Sequence, residues 1–458
     1  MTSLKPKSLA ESSPTCRPQL ELLILAGVVL VPLSVSWTIS GIHVTTTQMF
    51  FSAALGLWAV SVLRRRRWAD WTPAPGLRWL EWSMLAFLLA CGVSGLVAVN
   101  KKLWAKELIQ IAQALAIYLF VRSVALQRVR LKTYIALLLS VAALAGLVGV
   151  AEYFFRQAWM DDYDFMIIFG RTRSHLTLAS PNNFAAYLAA AVPLALAAAA
   201  AQPRRRWLWL AGAGAVTASL ICTLSRSGWI GAFVGVLVVL LLGRRRVLVP
   251  AAILLAILVA EVAAFSYDVR RCGTDSRVAA SSHDVGISGT DSGLGDNPVL
   301  VRRADSIRKD LFRLGVAMFQ SHPLLGLGLG NAGQVMREYL EKSDVGDSFL
   351  MDYARNNPEM TLDCTPLQIL AELGLLSVTA LAVAIGLVVT LTRAYRRSDD
   401  GDRLLVAGMI GACVAILTAT SLGWLFLRGV AETFFLLLGL VSAQVLRRQA
   451  FDGGNSKP

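Results

Sequence analysis

Four arginines, two histidines and two carboxylates are the residues of this chain best suited to do chemistry. Arg171 and Arg173 stand in a polar stretch with Asp161, Asp162, Asp164 and His175. Arg226 lies in a tight Ser225-Arg226-Ser227-Gly228 turn between two apolar blocks, and Arg308 near the start of an amphipathic stretch. A guanidinium keeps its charge and offers a fork of donors that matches phosphate oxygens two at a time. Several arginines around one cavity therefore predict a phosphorylated ligand. A charge at Arg226, close to membrane depth, is costly and points to function; the plainer role is snorkelling to the interface. For Arg171 and Arg173 the plainer role is pairing with the nearby aspartates. His322 precedes Pro323 and marks a helix end, so a structural role is expected, whereas His175 is an open candidate near the arginines. Asp363 is a candidate base for an attacking hydroxyl, provided desolvation raises its pKa. Glu372 lies about two turns inside an apolar block. It is either a functional intramembrane carboxylate or, more simply, a hydrogen-bonded lock between helices. No His/Cys spacing of a zinc site and no acidic cluster suited to magnesium stands near the arginines, so no cofactor or metal is expected.

The elements that position these residues are apolar. Of 458 residues, 55% are hydrophobic, gathered in blocks about as long as the 20 residues a bilayer core requires. The blocks run near 21–40, 46–63, 79–98, 104–124, 133–155, 182–201, 207–224, 228–243, 247–266, 366–392, 403–423 and 427–446. In lipid each segment must satisfy its own backbone polar groups, which selects helices. The expectation is an all-α polytopic transmembrane bundle of about twelve helices with one large, partly helical periplasmic loop. Residues 1–266 hold nine helices with short loops, 267–365 the large loop, and 366–458 three helices and a tail. The polar start carries no cleavable signal pattern, so the first block reads as an anchor.

Every even-numbered block is followed by a basic run: Arg64 to Arg67, Arg128 to Lys132, Arg204 to Arg206, Arg244 to Arg246, Arg393 to Arg403, and Arg447 with Arg448. The positive-inside rule puts these runs and both termini in the cytoplasm. It leaves Arg171, Arg173, Arg226 and Arg308 on the outer face, against the trend. The net charge of +14 is then a matter of orientation, and nucleic acid is not an expected partner. Within the large loop, 273–298 is rich in Gly, Ser, Asp and Thr. Residues 304–321 place Ile307, Leu311, Leu314 and Met318 on one helical face. Gly326, Gly328 and Gly330 follow Pro323. No strand precedes them, so they predict close backbone packing rather than a nucleotide site. Cys272 and Cys364 stand at the two ends of this loop, where an oxidising compartment would allow a disulfide; two free thiols too far apart to bond are the alternative.

Four stretches together resemble the O-antigen ligase and O-antigen polymerase superfamily of bacterial inner-membrane glycosyltransferases. They are RTRSHLTLASPNNFAAY at 171–187, LSRSGWIG at 224–231, IRKDLFRLGVAMFQSHPLLGLGLGN at 307–331 and LQILAELGLL at 367–376. The resemblance implies a glycan carried on undecaprenyl diphosphate and moved, without a metal, to an acceptor hydroxyl at the outer membrane face. The acceptor would be another lipid-linked repeat unit or lipid A-core. Arg171 or Arg173, Arg226 and Arg308 would contact the diphosphate. Membrane lipids, a chain-length regulator or a flippase are the further partners implied. Ligases of the family carry a His-Asn pair before the Leu-Gln run, and here Asp363 and Cys364 stand in its place. This departure favours a polymerase of repeat units, with Asp363, assisted by Arg226, in the catalytic role. A ligase, an anion or lipid transporter built on the same helices, and a non-catalytic scaffold are the other readings.

Overall fold

The apolar blocks become helices because a run of Leu, Ala, Val and Gly has no other way to satisfy its backbone in lipid. The computed structural model describes residues 17–39, 42–64, 73–74, 76–125, 131–155, 167–168, 171–178, 180–243, 245–281, 298–342, 360–399, 401–421, 423–426 and 429–455. The helices are α1 Arg17–Leu30, α2 Thr46–Arg64, α3 Arg78–Ser94, α4 Lys101–Ala125, α5 Leu131–Phe155, α6 Pro181–Ala201, α7 Arg206–Cys222, α8 Arg226–Gly243 and α9 Arg245–Ser281. Then follow α10 Pro298–Ser321, α11 Ala332–Lys342, α12 Thr365–Leu373, α13 Val378–Arg397, α14 Arg403–Ser421 and α15 Val430–Asn455. All twelve apolar blocks contain a helix, and the protein is an all-α polytopic membrane protein.

Among the described residues, eight helical stretches are long and apolar enough to cross a membrane, and Gln19–Leu33 and Val430–Leu446 are shorter apolar helices. The first block does not remain helical to residue 40. Pro32 lacks a donor for a continuing helix, and the chain turns into the hairpin β1 Ser36–Ile39 and β2 Ile42–Thr45. Its β-branched and aromatic residues suit paired strands. A second pair, β3 Ile167–Ile168 with β4 Arg171–Thr172, precedes α6.

Helix α6 is the centre of the bundle. Nearly every residue from Asn183 to Ala200 is buried, as expected of a helix that is apolar all round. Helices α7, α8 and α14 pack against it. Small residues make the approach close: a Cβ at Gly228 would stand 2.5 Å from that of Ala185, and one at Gly235 2.6 Å from the Gly411 carbonyl. The outer surface is apolar, with Leu57, Leu89, Leu208, Phe233, Leu255 and Leu381 exposed, more than a soluble chain leaves open.

The tenth block departs most from expectation. It is a short α12, a 3-10 turn Gly374–Ser377, and then α13. The loop after α10 causes the break. Its Leu327 N–H donates to the Ala371 carbonyl (3.1 Å) and its Gly328 N–H to that of Glu372 (3.0 Å), so these carbonyls are capped from outside rather than by the next helical turn. Gly326 and Gly328 have positive φ, and a Cβ at Gly326 would lie 2.3 Å from the Glu372 carbonyl carbon, which is the close backbone packing expected of the glycine run. Gly374, at φ 57° and ψ −134°, turns the chain where only glycine is comfortable. Gly374→Ala should cost at least about 1–3 kcal/mol, because its Cβ would also fall 2.6 Å from the Pro323 carbonyl oxygen. Thermal unfolding in detergent checks this, and an unchanged midpoint would contradict the cap.

The same loop and helix share a satellite core. Leu311, Leu314 and Met318 of α10, the face read from the sequence, pack with Met336, Leu362 and Leu367, and Ile307 lies against them. Helix α10 begins at Pro298, earlier than the expected 304.

Candidate active site

The loop entering α6 is fixed from below by a buried carboxylate. Glu152, in the last turn of α5, accepts the backbone N–H groups of His175 and Leu176 on Oε2, each at 3.0 Å. Its Oε1 stands 2.8 Å from His175 Nδ1, which also lies 3.1 Å from the Arg173 carbonyl. Burial alone would lower the His175 pKa, but the hydrogen bond and charge of Glu152 raise it above the ordinary value. His175 is thus a buried anchor of this loop, paired with Glu152 and within electrostatic reach of Arg173. Ser180 caps α6 by accepting from the Asn182 and Asn183 N–H groups, with Pro181 in the first turn.

This anchoring aims Arg173. Its Nε donates to the Thr223 carbonyl (2.9 Å) and its Nη2 to Asn182 Oδ1 (3.5 Å). Asn182 also accepts from Ser225 Oγ at 2.9 Å. The N-termini of α6 and α8 therefore meet at one arginine, and both dipoles present their positive ends there. Arg226 is the first residue of α8, next to Ser225, and is exposed at this end of the bundle. Leu224, with φ 52°, makes the sharp turn between α7 and α8. Arg171 lies on β4, paired with Ile168, and its side chain is outside the described residues, as are Asp161, Asp162 and Asp164.

Arg308, on α10, completes the group. Burial, and then the like charge of Arg308, lower the Arg173 pKa to about 10, so Arg173 is still charged near neutral pH. Two guanidiniums within electrostatic reach repel one another, and an anion between them removes that cost. The charge of Arg308 also reaches Asp363. Asp363 has φ 50° and accepts from Thr361 Oγ1 at 3.3 Å. Its own surface is open, yet protein surrounds it on the larger scale. That desolvation raises its pKa, against the opposing effects of Arg308 and of Thr361. The condition for Asp363 to act as a base is met in direction.

The remaining candidates lie elsewhere. His322 ends α10 and is exposed, its Nδ1 3.0 Å from Ser321 Oγ and 3.3 Å from Tyr339 OH. About 20 Å of helix separates it from Arg308, at 1.5 Å per residue. Glu372 is fully buried in α12 and accepts from Gln368 Nε2 and the Ala332 N–H. Those bonds match the helix-locking role. Cys364 is a free thiol here, so the expected bridge to Cys272 is not formed in this structure, and the Cys272 side chain lies outside the described residues.

Asn182 and Ser225 lie within the motif stretches without a sequence signal for their contacts, and Thr361 carries none either. Glu152 was the detectable one: a lone carboxylate near the end of an apolar block is costly without a partner.

The arrangement suits an anionic ligand held by Arg173 and Arg308 beside a carboxylate able to take a proton. Residues 214–382 match the family model described as O-antigen ligase. The matched span includes Arg226, Arg308, Asp363 and Glu372, and ends short of Arg173 on the other side. It is consistent with the O-antigen ligase and polymerase superfamily and supports a role in surface glycan assembly with a glycosyltransferase-like activity. No curated protein matches the chain.

Proposed function

We propose that the protein lengthens a surface glycan by transferring oligosaccharide from a polyprenyl diphosphate, undecaprenyl diphosphate in the family it resembles, to a hydroxyl of a second lipid-linked repeat unit. The observation that carries this reading is the mutual reach of Arg173 and Arg308 with Asp363 beside Arg308. The acceptor oxygen attacks the anomeric carbon as the carbon–oxygen bond to the diphosphate breaks. The leaving electron pair stays on the diphosphate, where the guanidiniums stabilise the developing charge. The hydroxyl proton passes to Asp363. The basic runs Arg204 to Arg206 and Arg245 with Arg246 follow the far ends of α6 and α8, and Arg393 to Arg397 form the end of α13, away from Arg173 and Arg226. The positive-inside rule then turns the arginine site toward the periplasmic side of the inner membrane, with both termini in the cytoplasm.

The description of the matching family favours a second reading, in which the acceptor is lipid A-core or another finished acceptor and the protein is a ligase. Deleting the gene and resolving the surface polysaccharide on a gel separates the two. Single repeats on the core are expected for a missing polymerase. Lipid-linked polymer over a bare core would move the assignment to ligase, and an unaltered pattern would remove both. The arginines supply the charge that a divalent ion supplies elsewhere, so purified enzyme should keep its rate in EDTA. Loss on chelation with recovery on adding a divalent ion would contradict this.

A further inference from the structure

A polar cavity of about 30 Å³, lined in part by Thr361, is left unused by the reaction above. It has room for one or two waters. Lys106 and Glu107 of α4, Gln368 and Glu372 of α12, Thr361 and Trp424 face it. One oxygen of Glu372 is engaged by Gln368 and Ala332, while the other, Oε2, makes no hydrogen bond of good geometry although the residue is fully buried, with the Gly330 N–H its nearest backbone donor. Glu107 is near enough for its charge to act on Glu372. Among the described residues that line it, one ammonium faces two carboxylates when all are ionised, and a proton taken up by Glu372 makes these three groups neutral overall. Thr361 links the two sites, since it lines the cavity and its hydroxyl bonds Asp363. A hydroxyl both donates and accepts, as a proton relay requires.

We propose that Glu372 is the proton acceptor beyond Asp363, reached through Thr361 and a cavity water. The step rests on the transferase reading. Acceptor O–H loses its proton to Asp363 as the glycosidic bond forms. Protonated Asp363 gives a proton to the Thr361 oxygen, Thr361 passes its own to the water, and the water passes one to Glu372. The proton leaves to solvent before the next cycle, so none is consumed. Among the described residues, the titratable groups within reach of Glu372 are Lys106 and Glu107 on α4 and Cys91 on α3.

Glu372→Gln keeps the oxygen that accepts from Gln368 and Ala332. In full-length protein reconstituted in nanodiscs, E372Q should lower kcat at least about 10-fold, within the range of a lost proton-transfer group, with KM for the lipid-linked donor unchanged. A pH titration followed by infrared spectroscopy provides a readout that does not need turnover. A protonated-carboxyl band present in the wild type should be missing from E372Q. Wild-type kcat in E372Q overturns the proposal, as does the same carboxyl titration in both proteins, which would leave Glu372 a helix lock. Should the wild type itself transfer nothing, the transferase reading fails and the relay with it, while the infrared spectra still report whether Glu372 binds a proton.

Discussion

Arg308→Ala is expected to lower kcat/KM for transfer by roughly 10²–10³-fold, the usual loss when one preorganised donor to a developing oxyanion is removed. The side chain is exposed, so the variant should reach wild-type abundance in the membrane. Its charge reaches both Arg173 and Asp363, which makes it the shared neighbour of anion and base. Arg308→Lys should be nearly as damaging, because a point charge does not reproduce a planar fork. The same order is expected at Arg226, where Lys should rescue little of what Ala loses. Arg173 should differ. It holds Thr223 and Asn182, so Arg173→Ala is expected to reduce abundance as well as rate. Reconstituted transfer, with protein amount measured on the same samples, tests the contrast. A fully active R308A would show that Arg308 does not stabilise the leaving diphosphate.

Asp363→Asn should lose roughly 10²–10⁴-fold in kcat, the range for a positioned general base, with little change in donor KM. The pH dependence carries a sign. A base works in its ionised form, so the rate should rise with pH through the pKa of Asp363 and fall below it. Desolvation raises that pKa, so the acid limb should lie above the ordinary aspartate range. Arg308 opposes the rise, and Arg308→Ala should therefore move the limb further toward high pH in whatever activity remains. A limb that stays in place in R308A, or that persists in D363N, would assign the base to another group.

The chain reveals these parts unevenly. Hydropathy marks where helices lie because the lipid requirement acts on composition, which a single sequence carries. The buried face of α10 is legible for the same reason: Leu311, Leu314 and Met318 obey one periodicity. The break at Gly374 is not, since it depends on N–H groups from residues 327 and 328 arriving at the carbonyls of 371 and 372. Periodicity within a block carries no trace of a distant donor. The partner of His175, Glu152, sits in the preceding helix, and nothing in the fourth apolar block announces that its Lys106 and Glu107 face a cavity. Among the arginines, sidedness was readable from the basic runs. The reach of Arg308 toward Arg173 was not, because it depends on how α10 is held against α11 and α12.

The central claim is that Arg308 and Asp363 serve transfer from a lipid-linked diphosphate. Its most direct test supplies purified wild type, R308A and D363N, each shown to be folded, with polyprenyl-diphosphate-linked repeat units as both donor and acceptor. Mass spectrometry then follows chain length and free polyprenyl diphosphate together. The account predicts one polyprenyl diphosphate released per new linkage in the wild type, and near loss of both products in the two variants. Chain growth without diphosphate release, or variants as active as the wild type, would contradict it.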